Sequence, residues 1–412
     1  MRIFVNKTVL LSATILIFFA LVIGCKTASV SKKTNQDNKW VASWSTANFG
    51  VGANDMPPAP GLHGNTIRQI VRVSIGGEVL KLKLSNLFGE EDMTIKSVSI
   101  AQANESFLID NSTLRQLTFG KKKGFIIPAK TELYSDPLTF NLKPGSKLAI
   151  TISFGNVPTK ITGHPGSRTT SYILNGNQKA TADFSEAIKT DHWYIIGGVD
   201  VKNTKHAATV AVIGNSITDG RGSGTNKQNR WTDILSQRLL DNKDTENIGV
   251  INLGIGGNCV VRGGLGPTAL SRFNRDILSQ NGVKWLIILE GVNDIGGLKK
   301  AEDVPQLVQD LKIAYSQMID KAHAKGIKVY GATILPFGKS FYDNEYRQQA
   351  RDSINNWIRN SGKFDAVIDF DKTMQNPENP GVLFPELQAD YLHPNESGYK
   401  KMGEFIDLNI FK

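Results

Sequence analysis

Ala211-Val212-Ile213-Gly214-Asn215-Ser216-Ile217-Thr218-Asp219-Gly220 is the stretch on which the reading of this chain turns. The apolar run at 209–213 has the length and composition of a buried strand. It stops at Gly214, Ser216 follows at once, and helical periodicity resumes only near Trp231. A serine on a tight turn at the C-terminal end of a strand presents its hydroxyl for attack. Its own backbone N–H faces the place where an oxyanion would form. An ordinary strand-to-loop turn is also rich in Gly and Ser, so this stretch alone leaves both readings open.

Downstream, the pattern alternates strands with helices from His206 to the C-terminus. Strands are expected at about 209–213, 249–252, 284–289, 328–333 and 366–369. Helices are expected at about 231–240, 269–278, 304–325, 345–361 and 398–410. Such alternation implies a parallel sheet with helices on both faces, and an active site outside the carboxyl ends of its strands.

Upstream, from Trp40 to about Val201, the apolar period is two. The runs at 69–75 and 78–84 flank Gly76-Gly77, the signature of a hairpin with a two-residue turn. Alternation returns at 94–101 and 147–154, and shorter strands are expected at 172–174 and 193–196. Turns rich in Gly, Pro, Asn and Asp separate them, with no long helical pattern between. An antiparallel sandwich of jelly-roll type is the expected result. Trp44, Phe49 and Tyr172 could stack on sugars, but aromatics in a small sandwich are more often core.

The N-terminus has its own logic. Arg2 and Lys7 precede an almost wholly apolar run at 9–23, shorter than a comfortable membrane span. It ends in Val22-Ile23-Gly24-Cys25, which resembles the lipobox of bacterial lipoproteins. That resemblance implies a leader at 1–24, cleaved before a lipidated Cys25. Lys26 stands where that pattern's inner-membrane retention signal has Asp, so an outer-membrane site is expected. An uncleaved anchor or an ordinary signal peptide are the other readings. The polar segment 25–39 reads as a flexible tether. Cys259 is then the only remaining thiol, so no disulfide within the mature monomer is possible. The expected organisation is leader 1–24, tether 25–39, β-sandwich 40–203 and α/β domain 204–412.

Composition excludes some functions. The 412 residues are 40% hydrophobic and 21% charged, which is globular rather than disordered. The net charge is +10. The lysines are dispersed apart from short runs at 32–33 and 121–123, and no basic helix with interleaved aromatics occurs, so the basicity fits solubility or an anionic surface or polymer better than nucleic acid.

Three further stretches stand beside Ser216. Asn252-Leu253-Gly254-Ile255-Gly256-Gly257-Asn258 follows the second strand of the α/β part. Its glycines would let a backbone N–H approach a ligand, and it lacks the dinucleotide-binding spacing. Leu289-Glu290-Gly291-Val292-Asn293-Asp294-Ile295-Gly296 follows the third strand. A side-chain amide there can donate to an oxyanion, though an Asn-Asp pair also suits a cap or turn. Asp390-Tyr391-Leu392-His393-Pro394-Asn395 precedes the last helix. His393 can take a proton from Ser216, and Asp390, three residues away on one loop, can orient the imidazole.

In this order the four stretches resemble the conserved blocks of the SGNH (GDSL-type) hydrolases, from about Ala207 to the end. The resemblance implies a flavodoxin-like α/β/α fold, with Ser216 as nucleophile and His393 and Asp390 as its partners. It implies an oxyanion hole of Ser216 N–H, Gly257 N–H and the Asn293 amide, and no metal or cofactor. One departure stands out: Asn215 occupies a position where the family usually has Asp. Arg230-Trp231, Gly256-Gly257-Asn258, Leu289 to Ile295, the stretch 364–370 and Ala42-Ser43-Trp44 look like a narrower group, the arylesterases and acylhydrolases found with xylan-degrading enzymes. The expected function is therefore a serine esterase for short-acyl, above all acetyl, esters of plant-type polysaccharides. The competing readings are a non-catalytic carbohydrate-binding surface lipoprotein and an esterase of phospholipid or peptidoglycan acyl esters.

Overall fold

The computed structural model describes residues 39–104, 106–202 and 206–412. The expected leader, Cys25 and all but the last residue of the tether lie outside the described residues. Among the described residues no helix is long and apolar enough to cross a membrane.

The α/β region is built on five parallel strands: β1 (Ala208–Gly214), β2 (Ile248–Gly254), β3 (Val283–Leu289), β4 (Lys328–Ala332) and β5 (Ala366–Ile368). They lie in the order β2-β1-β3-β4-β5. Every residue of β1 is buried, because helices cover both faces of the sheet. Ala211 and Ile213 pack with Phe273, Leu311 and Ile354 on one side. Val210 and Val212 pack with Leu235 and Tyr399 on the other. The period of two along β1 thus feeds two separate cores. The helices that supply them are α1 (Ser216–Asp219), α2 (Trp231–Asp241), α3 (Ala269–Phe273), α4 (Val292–Gly296), α5 (Val304–His323), α6 (Glu345–Asn360), α7 (Phe370–Met374) and α8 (Glu396–Phe405). The five strands and α2, α5 and α6 follow the expected elements within two residues, α8 ends at Phe405 rather than near 410, and the short helices α1, α4 and α7 were not expected. The helix expected at 269–278 is split, its second half being a π-helical turn, Asn274–Leu278.

The N-terminal region is all-β and antiparallel. One sheet has the order Trp40–Ser45, Ile196–Lys202, Gly77–Ser85, Glu132–Tyr134, with Leu138–Leu142 also pairing to Gly77–Ser85. A second, seven-stranded sheet is centred on Thr66–Arg72, Lys147–Phe154 and Met93–Gln102. A third joins only Trp193–Tyr194, Thr162–His164 and Phe49–Gly50. The hairpin expected around Gly76-Gly77 does not form. Thr66–Arg72 pairs within the seven-stranded sheet, whereas Gly77–Ser85 pairs with Ile196–Lys202 in the other. Neither glycine has the positive φ of a two-residue hairpin turn. What they provide is close approach as the chain passes between sheets. A Cβ on Gly76 would lie 2.2 Å from the Leu142 carbonyl oxygen, and one on Gly77 2.5 Å from that of Lys202. Trp44 and Tyr172 are core residues, Trp44 meeting Trp193 edge-on at 5.0 Å and Tyr172 packing against Phe107.

The two regions are stitched together along β1 and the turn that follows Leu278. Thr209 Oγ1 donates to the Ala42 carbonyl at 2.7 Å, the Ala42 N–H donates to Asn281 O at 2.9 Å, and Asn281 Nδ2 donates to Asp200 at 2.6 Å. Ala42 and Ala47 belong to the same apolar cluster as Ala211 and Ile213.

Candidate active site

β1 ends in a turn that only glycine permits. A Cβ on Gly214 would lie 2.2 Å from Thr218 Oγ1, so a side chain there would stop the chain folding back into α1. Asn215 caps that helix, its Oδ1 accepting from the Ile217 N–H at 3.0 Å. Gly220, at φ +102°, closes it by donating its N–H to the Ser216 carbonyl at 2.8 Å. Ser216, 7% exposed, is left at the carboxyl edge of the sheet, in the first turn of the helix.

The loop before α8 delivers the second group. Asp390 accepts from the backbone N–H groups of Leu392 at 3.1 Å and His393 at 2.8 Å, which folds the loop so that carboxylate and imidazole converge. His393 Nδ1 lies 2.9 Å from Asp390 Oδ2, and His393 Nε2 lies 2.9 Å from Ser216 Oγ. A carboxylate at Nδ1 fixes the proton on that nitrogen, so Nε2 accepts from the serine hydroxyl. Partial burial works to raise the Asp390 carboxyl, but the ring and backbone hydrogen bonds outweigh it and hold it below the ordinary range. For His393, burial is the largest influence and lowers it. Asp390 pulls upward, and the charges of Arg221 and Arg168 add to the lowering, so the imidazole stays neutral further into acid than an isolated one.

Gly257 and Asn293 face a common cleft with Cys259 and Tyr342. Gly257 adopts φ +69°, and among the described residues neither its N–H nor that of Ser216 donates to a protein group. Asn293 Nδ2 donates to the Asn258 carbonyl at 2.7 Å, and its Oδ1 accepts from the Tyr342 hydroxyl at 3.0 Å. The amide is therefore held in one orientation, with its second N–H uncommitted. Asp294 is an anchor: it accepts from the Val260 and Val261 N–H groups at 2.8 and 3.1 Å, and burial pushes its carboxyl up to about 6. Burial likewise pushes the Cys259 thiol up to about 12, so it is not a thiolate.

Beneath this edge lies a buried polar floor that sequence reasoning missed. Arg272, fully buried, donates to the carbonyls of Leu253 at 2.7 Å and Gly214 at 3.2 Å, to Asn258 Oδ1 at 3.1 Å and to Asp276 at 3.0 Å. One side chain thus ties together the ends of β1 and β2 and the glycine loop. Glu290, also fully buried, lies 3.7 Å from Arg272 and accepts from Asn215 Nδ2 at 3.4 Å and the Gly291 N–H at 3.3 Å. Burial pushes its carboxyl up to about 8 despite Arg272. The available signal was Arg272 and Asp276 at i, i+4, a spacing that also describes any solvated helix face.

The β region reaches the site as well. His164, from the three-stranded sheet, places Nδ1 2.9 Å from the Ala47 carbonyl and Nε2 2.8 Å from Asp219 Oδ1. The other oxygen of Asp219 accepts from the Gly256 N–H at 3.1 Å. A Cβ on Gly166 would lie 1.9 Å from Asp219. The segment at 162–170 is thus seated on α1, and reaches the residue before Gly257 through Asp219. Half-buried Phe49, the third aromatic considered for sugar stacking, lines the cleft beside it.

Residues 212–401 match the model of the GDSL-like lipase/acylhydrolase family. The α/β region has the GDSL-hydrolase fold. A comparison with curated proteins returns no match. Solved structures that are similar include a protein assigned to the lipolytic G-D-S-L family from Desulfitobacterium hafniense, 25% identical, covering 48% of this chain and 97% of its own with a TM-score of 0.36. A GDSL-like lipase from Bacteroides thetaiotaomicron is 22% identical over 49% of this chain and 87% of its own, TM-score 0.36. An acetyl xylan esterase is 22% identical over 48% and 96%, TM-score 0.36. All of these align to about half of this chain, and the GDSL family match falls within the α/β region.

Proposed function

We propose that this chain is a serine esterase that removes short acyl groups, above all acetyl, from plant-type polysaccharides or oligosaccharides. The observation that carries the reading is the continuous hydrogen-bonded line from Ser216 Oγ through His393 to Asp390, with both links at 2.9 Å, beside two backbone N–H groups that have no partner among the described residues.

In this reading Ser216 Oγ attacks the ester carbonyl carbon while its proton passes to His393 Nε2. The oxyanion is held by the Ser216 and Gly257 N–H groups and the free N–H of Asn293. His393 then protonates the alcohol oxygen as the C–O bond breaks, leaving an acyl-serine. Water, deprotonated by His393, attacks that ester; the acid departs and Ser216 regains its proton. The chemistry needs no metal and no cofactor. The acetyl-polysaccharide substrate rests on the resemblance of the flanking stretches, and lipid attachment at Cys25 in the outer membrane rests on the separate resemblance of Val22-Ile23-Gly24-Cys25 to a lipobox.

Replacement Ser216→Ala should lower the kcat for p-nitrophenyl acetate by roughly a thousandfold or more while leaving thermal unfolding in place. A purified chain that is folded but turns over no ester, or an S216A variant as active as the parent, would overturn the assignment.

A further inference from the structure

A second feature of the site concerns charge. Beside α1 a cleft of about 660 Å³ opens between the β region and the α/β region. Phe49, Phe88, Asp55, Asp219, Arg168 and Arg221 are among its walls. Each of the two carboxylates faces an imidazole: Asp219 meets His164 at 2.8 Å, and Asp55 lies 3.9 Å from His192. The two guanidinium groups have no such answer. Among the described residues neither Arg168 nor Arg221 makes a salt bridge, and Arg168 Nε is buried without a hydrogen-bond partner.

Their backbone anchors are firm. The Arg221 N–H donates to the Ser216 carbonyl at 2.9 Å, so this side chain starts from the nucleophile's own turn. Arg168 sits at φ +51°, in the left-handed region where glycine is at ease and a long side chain is not. That conformation is enforced by Ser167 Oγ, which accepts from the Thr169 N–H at 3.1 Å, and by the Asn226 N–H, which donates to the Arg168 carbonyl at 2.9 Å. A strained position carrying a charged, unpaired side chain beside reacting groups points to a ligand rather than to stability. A guanidinium fork matches a carboxylate, and the half-buried rings of Phe49 and Phe88 offer a surface for the C–H face of a sugar.

Resting on the esterase reading, we infer that the preferred substrate is an acyl ester of an acidic saccharide, whose carboxylate is bound by Arg168 and Arg221. The β region would then set specificity for a reaction performed by the other region.

The test compares kcat/KM for three monoacetylated sugars: methyl glucuronoside, methyl glucoside and glucose 6-phosphate. The wild-type full chain should prefer the glucuronoside to the glucoside at least tenfold, mostly through KM, and the ratio should shrink as salt is raised. In the double variant Arg168→Gly, Arg221→Gln the ratio should fall to about threefold or less. Arg168→Gly relieves the left-handed strain, so its melting temperature should hold or rise, which separates lost recognition from lost folding. Arg168→Lys, which keeps the charge but not the fork, should fall between. A wild-type ratio near one, or a ratio unchanged in the double variant, overturns the inference. So does a greater preference for the phosphate. Absence of turnover on p-nitrophenyl acetate would instead overturn the esterase reading itself.

Discussion

The two walls of the site around Ser216 are built by different means. On the α/β side, each group of the proposed reaction stands at or just past the carboxyl end of a strand, or on the loop before α8, where a tightly packed parallel sheet fixes its origin. On the β side, one short three-stranded sheet and the segment at 162–170 lean across: His164 and Gly166 meet Asp219, and Phe49 and Arg168 line the cleft beside α1. In the proposed reaction the first wall holds the atoms that change bonding. The second holds none, yet it braces Asp219 and, through it, the Gly256 N–H next to Gly257. The difference teaches that chemistry and setting have separate structural sources in this chain, and that they can be perturbed separately.

The largest contrast is expected from Asn293→Ala, on the α/β side. It removes a proposed oxyanion donor and frees the Tyr342 hydroxyl, but leaves Ser216 and His393 untouched. The kcat for p-nitrophenyl acetate should fall about a hundred- to a thousandfold, with KM changed little, because the lost interaction belongs to the transition state. A fall in kcat/KM carried by KM alone would place Asn293 in ground-state binding and break the division between the walls.

His164→Ala tests the other wall. It leaves the buried Asp219 facing a void, and the Gly256 N–H loses a well-placed acceptor. A displacement of Gly257 by a fraction of an ångström should cost about ten- to a hundredfold in kcat. His164→Gln, which can still donate to Asp219, should restore most of it. A melting temperature that falls with no change in kcat would mean that His164 only joins two regions and sets nothing.

These two residues also mark what could be read without coordinates. Ser216, Gly257, Asn293, Asp390 and His393 were legible because each lies in a short local pattern: an apolar run broken by glycine, a polar pair at a strand end, an Asp and His three apart. Local patterns encode local geometry, and the five parallel strands were legible for the same reason. His164 and Asp219 lie 55 positions apart, and their pairing depends on how an antiparallel sheet folds across a parallel one. Arg272 and Glu290 meet only because α3 and β3 converge beneath the nucleophile. The misread Gly76-Gly77 fails in the same way: alternating strands on either side of two glycines describe a hairpin and a sheet-to-sheet crossing equally well. Only the long-range partners, Lys147–Phe154 for one strand and Ile196–Lys202 for the other, decide between them.

Asn215 should give the smallest effect and the sharpest one. Its Oδ1 caps α1 and its Nδ2 donates to Glu290, so one neutral side chain serves a helix that needs an acceptor and a buried carboxyl that accepts a donor. Asn215→Asp keeps the cap but sets a second carboxylate against Glu290. Burial already pushes the Glu290 carboxyl up to about 8, so folding favours its protonated form, and the wild-type stability from this group is lost as pH rises from the ordinary carboxylate range to that value. At pH 5 to 6 a protonated Glu290 can donate to the introduced carboxylate, and the variant should melt within a few degrees of wild type. At pH 9 both groups would be charged, and its melting temperature should fall further below the parent's. Turnover at pH 7 should stay within a few-fold, because Ser216, His393 and the backbone donors do not move. An equal melting deficit at both pH values would show that the two side chains are not coupled through a proton. A large loss of turnover would show that the neutral amide tunes the nucleophile itself, moving Asn215 from the setting of the reaction into its machinery.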